Sequence, residues 1–271
     1  MNRRIKVKSM AVILCSIGIY PLVYHKKNGP SIGLGCIGRK IMVYCIMHIK
    51  VPFCYIYKEI TGGIRMKVLL INGSPHEKGC TYTALTEVAR TLEENGVETQ
   101  ILSIGREDIR GCVACGGCRG GKGCVFGGIV NEIAELAKTA DGFVFGSPVY
   151  YASPNGSLYS LMDRLFYSAS ANFRHKPAAA VVSARRAGTT TALHDIENYF
   201  TITEMPIVAS SYWNMVHGTS AEQVAEDREG LQVMRNLGRN MAWLLKCMEA
   251  GKQAGISVPE NEYGERTNFI R

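Results

Sequence analysis

A chain of 271 residues can bury one large core or two modest ones. Its formal charge of +8 suggests a polyanion binder until the chain is divided at Met66. Residues 1–65 hold eleven Lys/Arg and one acid (Glu59), whereas residues 66–271 hold twenty Lys/Arg and twenty-two acids, so nothing in the body reads as a nucleic-acid surface.

The leader begins with Arg3, Arg4, Lys6 and Lys8 before the apolar stretch MAVILCSIGIYPLVY, the outline of a signal peptide. Pro21 interrupts that stretch, and no small-x-small cleavage site follows. The second apolar run, IMVYCIMHIKVPFCYIY, carries His48, Lys50 and Pro52, which are costly in a bilayer. Neither run reaches about 18 clean apolar residues, so no membrane partner is expected and a cytoplasmic location is. TGGIRM, ahead of KVLLINGSP, can be encoded with a bacterial ribosome-binding sequence just upstream of the Met66 codon. The expected organisation is an atypical leader over 1–65, disordered or a mis-assigned start, and one domain over 66–271. Four of the ten cysteines (15, 36, 45 and 54) lie in the leader. The body keeps Cys80, Cys247 and a cluster of four, and without a secretory leader clustered thiols favour metal or redox chemistry.

From Met66 the pattern alternates. KVLLING (67–73) is a continuous apolar run, as a strand buried on both faces requires. TYTALTEVARTLEENG (81–96) places Leu85, Val88, Ala89 and Leu92 on one helical face, with Gly96 where the helix would end. ETQILSI is a second strand, followed by a cysteine-rich turn. IVNEIAELAKTA is a helix, DGFVFGSPVYY a strand running into a loop, GSLYSLMDRLFYSA a helix, PAAAVVSA a buried strand and TTTALHDIENYF a helix. PIVASSYW is predicted as the fifth strand. The last helix is predicted over about 220–249, with Met234, Leu237, Met241, Leu244, Leu245 and Met248 on one stripe and a Ser220/Gln223 capping box at its start.

Five strands alternating with five helices predict an α/β fold with a doubly wound parallel sheet, because parallel neighbours need helical crossovers. Ligands of such sheets sit beyond the carboxyl ends of the strands. The loops 73–81, 105–125, 146–156 and 183–190 should therefore converge. In the first, NGSPHEKGCT, Gly73 and Gly79 allow close backbone approach, Ser74 and Thr81 offer hydroxyls, and the following helix turns its free N–H groups toward the loop. That combination predicts a phosphate site, although it is neither a nucleoside triphosphate loop nor GxGxxG.

INGSPHEKGCT, GSPVYYASPNGSLYSLMDRLFY and WNMVHG make the chain resemble the flavodoxin-like NAD(P)H-dependent FMN reductase superfamily across nearly all of 66–271. The resemblance implies strand order 2-1-3-4-5 with helices on both faces, FMN at the first loop, NAD(P)H as co-substrate, and a homodimer or homotetramer with the flavin near a subunit interface. Carried over by position, Ser74, His76, Lys78, Gly79, Cys80 and Thr81 would surround the phosphate. Pro148, Val149, Tyr150, Tyr151 and Ser153 would line the isoalloxazine ring, and Arg185, Arg186 and Gly188 would lie in the third ligand loop. His76 stands where the superfamily often has arginine, Cys80 where it often has asparagine, and Tyr159 where it often has lysine.

The turn GCVACGGCRGGKGCV spaces Cys112, Cys115, Cys118 and Cys124 as C-x2-C-x2-C-x5-C. Zinc sites usually use two separated knuckles, whereas iron–sulfur ligation uses tight runs on a wrapping loop. The motif also resembles that of iron–sulfur flavoproteins, a branch of the same superfamily, which implies a 4Fe–4S cluster. Many of those relatives have an acidic pair where this chain has Gly127 and Gly128. Three readings stay open: the cluster, free or reversibly oxidised thiols, and zinc.

These expectations amount to a flavin-dependent oxidoreductase passing hydride from NAD(P)H through FMN to a small-molecule acceptor such as a quinone or free flavin. No side chain is assigned as a general acid or base. The alternatives are an iron–sulfur flavoprotein that carries electrons, with ferredoxin as a partner, and a thiol redox sensor without turnover.

Overall fold

The structure, a computed structural model, describes residues 66–267, so the expectations for the leader lie outside the described residues. In chain order the elements are β1 (Lys67–Asn72), α1 (Cys80–Glu94), β2 (Glu98–Ser103), α2 (Ile129–Thr139), β3 (Gly142–Tyr150), β4 (Ser153–Pro154), α3 (Gly156–Ala169), β5 (Ala178–Ala184), α4 (Thr189–Ile202), β6 (Met215–His217), α5 (Ala221–Glu226) and α6 (Arg228–Gln253). The sheet runs β2-β1-β3-β5-β6, and the two-residue β4 folds back antiparallel on β3. All other pairings are parallel. Counting only the parallel strands, this is the expected 2-1-3-4-5 order, with β4 as an addition.

Side-chain alternation explains why helices cover both faces. Leu69, Ile71, Phe143, Phe145, Ala180 and Val182 pack with α2, α3 and α4. Their neighbours Val68, Leu70, Val144, Ala179 and Val181 pack with α1 and α6 on the opposite face. Successive residues of a strand point to opposite sides, so a strand apolar at every position needs a cover on each. Gly96, with φ +81, ends α1 as expected.

Two expected elements differ. The predicted fifth strand, 206–213, does not form: within it Ile207 makes only a bridge to Ala178, and the strand beside β5 is Met215–His217, beyond the predicted segment. Ala178 N–H donates to Pro206 O at 2.9 Å, and Val182 N–H donates to Asn214 O at 3.0 Å. Between these points the chain leaves β5, with Ser210 Oγ donating to Val233 O and Asn240 Nδ2 donating to Ala209 O. The lane beside β5 is touched by Ile207 but filled only from Met215, because α6 holds Ala209 and Ser210 away from it.

The predicted last helix is two. Asp227, at φ −74 and ψ 80, ends α5, and its carboxylate accepts from Gly230 N–H at 2.9 Å to cap α6. The capping box is half formed: Ser220 Oγ accepts from Gln223 N–H, but Gln223 Oε1 accepts from Thr219 rather than Ser220. Helix α6 runs past Gly251 to Gln253.

Candidate functional site

Three of the four predicted ligand loops are tied together by short contacts. Gly73 N–H donates to Gly146 O at 2.8 Å, joining the loops after β1 and β3. A side-chain carbon on Gly73 would sit 2.8 Å from that same oxygen, so the approach requires glycine. Thr81 and Ser183 share a hydroxyl hydrogen bond of 2.9 Å, joining the start of α1 to the end of β5. Gly188, at φ +86, lies so close to the loop after β3 that a Cβ would meet Ala152 Cα at 2.7 Å. Ser153 Oγ donates to Asp195 Oδ2 at 3.2 Å, fastening that loop to α4.

The first loop is preorganised. Asn72 is fully buried, its Oδ1 accepting from Ser74 N–H while its Nδ2 donates to Glu77 O and Ser103 Oγ. Ser74, also buried, accepts from His76 N–H at 3.1 Å. No side chain caps α1 at Gly79, which leaves the positive end of the helix facing the loop. Thr81 is buried and its hydroxyl is engaged with Ser183. His76 and Lys78 are exposed, and with Gly79, Cys80, Arg106, Thr219 and Ser220 they line an open cavity of about 720 Å³. Cys80 Sγ lies 3.6 Å from Gly218 O, and burial pushes its thiol up from the ordinary range.

In the second loop Pro148, Val149 and Ser153 are half-buried, Tyr150 is exposed, and Tyr151 projects fully into solvent. Tyr151 and Ala152 are consecutive non-glycine residues at φ +50 and +62. Such conformations cost about 1 kcal/mol or more each and concentrate at ligand sites. Beneath them, burial and the Asp195 carboxylate push the Tyr159 phenol up to about 12. Tyr199, which donates to Asp163 at 2.5 Å, is pushed up by burial and that carboxylate. Arg185 and Arg186 are exposed, and the Arg186 carbonyl pairs with His217 Nε2 at 3.2 Å.

The cysteine turn leaves the same edge, then descends. Gly111 lies near Ser160, and the four sulfurs sit against the second half of α3. Cys112, Cys115, Cys118 and Cys124 line one cavity of about 280 Å³ with Val113, Val125, Phe126, Arg164 and Tyr167. Arg164 lies eight residues into α3, about 12 Å down its axis. The cysteines are thus brought to each other, but along α3 rather than at the rim where the three loops meet. All four are free thiols, and among the described residues no three Cys, His, Asp or Glu side chains converge on one point as metal ligands.

The turn suits an anionic group. From Arg110 to Asn131 it holds Arg110, Arg119 and Lys122 and no acid. Asn131 fastens its end, accepting from Cys124 N–H at 2.9 Å and donating to Cys124 O at 3.0 Å. Gly127 and Gly128 have φ of +57 and +67, which disfavours acidic residues there on backbone grounds. A donor set of four cysteine sulfurs, apolar walls and surplus positive charge fit a 4Fe–4S cluster.

The description "NADPH-dependent FMN reductase" matches residues 66–220. The chain belongs to that family. It is a flavodoxin-like flavoprotein oxidoreductase by membership, and the matched segment holds all three tied loops and the cysteine turn. An iron–sulfur flavoprotein of Methanocaldococcus jannaschii is 31% identical over 192 residues, covering 68% of this chain and 100% of its own. Another, from Methanosarcina thermophila, is 27% identical over 192 residues, covering 69% of this chain and 99% of its own. The family belonging thus extends into the iron–sulfur flavoprotein branch. Among solved structures, a flavone reductase aligns with TM-score 0.53 at 17% identity, covering 68% of this chain and 64% of that one. RosB aligns with TM-score 0.52 at 14% identity, covering 76% and 92%. These two show the family's sheet and nothing finer. No helix among the described residues is long and apolar enough to cross a membrane.

Arg164 is the site residue that sequence reasoning missed. Its signal was present: it falls three residues after Leu161 on the buried stripe of α3, where a charge needs a reason.

Proposed function

We propose that the protein binds FMN across the three tied loops, takes reducing equivalents from NAD(P)H and delivers them to a small-molecule acceptor such as a quinone or free flavin. The observation that carries this reading is the mutual fastening of the loops after β1, β3 and β5 at one sheet edge, within the stretch that matches the family. The first-turn amides of α1 and the Ser74 hydroxyl would hold the phosphate, with Lys78 adding charge at the open side. Val149, Tyr150, Tyr151 and Ser153 would face the ring system, and the left-handed Tyr151 and Ala152 fix where that wall stands. Bound FMN supplies hydride acceptance and onward electron transfer, while the protein supplies orientation and electrostatics. Arg185 and Arg186 offer positive charge to an anionic co-substrate.

Cys112, Cys115, Cys118 and Cys124 would hold a 4Fe–4S cluster, a one-electron store beside a two-electron cofactor. The iron–sulfur flavoprotein relatives support this reading, as does the acid-free turn. Assembly as a homodimer or homotetramer would cover Tyr151.

Anaerobic purification, absorption spectra and iron and sulfide assays test both cofactors, and steady-state NADH and NADPH oxidation with FMN or quinone tests the activity. A flavin spectrum with turnover is expected. Colourless protein that stays colourless after soaking in FMN overturns the flavin reading. Flavin and iron without nicotinamide turnover, but with reduction by ferredoxin, would make the protein an electron carrier.

A further inference from the structure

We propose that Arg164 is a positioning residue for the sulfur centre: its guanidinium holds the Cys124 sulfur by an N–H···S hydrogen bond and raises the reduction potential of the cluster bound there. The inference rests on the cluster reading of the cysteine turn.

Arg164 is only 6% exposed. Its Nε donates to Cys124 Sγ at 3.3 Å and its Nη2 donates to Gly127 O at 2.8 Å. Phe126 lies 5.7 Å from the guanidinium carbon, and Arg110 covers the same ring at 4.3 Å. Among the described residues the ion pairs do not include Arg164. Burying a cation without a counter-charge is costly, and the contacts this guanidinium makes are with a predicted ligand sulfur and a carbonyl oxygen. A neutral thiol is a weak acceptor and leaves the charge uncompensated. An iron-bound thiolate compensates it, and a cluster with four thiolate ligands carries net negative charge that grows on reduction. A fixed cation and a hydrogen bond to ligand sulfur therefore favour the reduced state, the tuning by sulfur hydrogen bonds seen across such centres. The planar fork also ties Cys124 to the Gly127 carbonyl, which orients the last ligand of the run.

The test compares reconstituted wild type with Arg164→Gln and Arg164→Lys by potentiometric titration followed by electron paramagnetic resonance. Arg164→Gln should lower the cluster midpoint enough to reduce its population of reduced cluster about tenfold at fixed potential, about 59 mV for one electron. Arg164→Lys should shift it in the same direction by less, and the flavin content should not change. An unchanged midpoint in Arg164→Gln overturns the inference. Should that variant fail to fold, wild-type protein carrying 15N-arginine serves instead: a nitrogen coupling to the reduced cluster is expected, and its absence overturns the inference. Wild type that takes up no iron or sulfide overturns the cluster reading itself, and the iron assay separates that failure from the first.

Discussion

The three loops after β1, β3 and β5 and the turn after β2 are held in opposite ways. The three loops are fastened to each other and to strand ends through main-chain and buried hydroxyl contacts such as Gly73 to Gly146 and Thr81 to Ser183. The cysteine turn depends on two side chains from neighbouring helices, Asn131 and Arg164, with two of its four thiols exposed. A site formed by a sheet edge exists before its ligand arrives. A site hung on a wrapping turn draws part of its order from what it binds, since ligand binding free energy then becomes folding free energy.

The largest effect expected is on what both regions share. Phe145 is fully buried beneath them, 5.9 Å from Phe166 and 5.5 Å from Phe200 between ring centroids. Phe145→Ala should cost about 3–5 kcal/mol, measured by denaturant unfolding, and both sites should weaken together. Gly188→Val separates them. A β-branched residue at φ +86, against Ala152, should cost about 2 kcal/mol or more. Flavin content should fall while iron content per folded chain holds, and equal losses of both would contradict the division.

Asn131→Ala acts on the other side. Losing both hydrogen bonds to Cys124 should cost about 1–2 kcal/mol locally. Peptide-mapped alkylation of the apoprotein should then show Cys124 reacting several-fold faster, with flavin binding unchanged. Cys80, whose thiol burial pushes up, should label more slowly than exposed Cys112 and Cys115 in either protein.

The smallest effect concerns pH. Burial and Asp195 hold the Tyr159 phenol up at about 12, whereas an unfolded tyrosine ionises near 10. The folded state thus binds this proton more tightly, so its stabilising share is complete below about pH 10 and is lost as pH rises toward 12. Tyr159→Phe should flatten that alkaline decline in melting temperature, and an unchanged slope would remove Tyr159 as its source.

Local pattern made much of this legible. Uninterrupted apolar runs announced strands covered on both faces, and α1, α3 and β5 fell where their periodicity put them. The displacement of the fifth strand to Met215–His217 was not legible, because PIVASSYW has strand-like composition throughout and only packing against α6 pulls Ala209 and Ser210 out of the lane. The break at Asp227 was missed because the predicted stripe begins only at Met234, beyond it, although Asp227 three residues before Gly230 is an ordinary cap signal.

The sequence alone determined the doubly wound sheet and the four-cysteine spacing, because each rests on residues close together in the chain. Tertiary structure decided which loops touch, that the sulfurs gather against the middle of α3, and that a buried arginine forty positions from Cys124 donates to its sulfur. Those facts depend on how helices lie across a sheet, and contacts between elements distant in sequence leave no period or spacing to read.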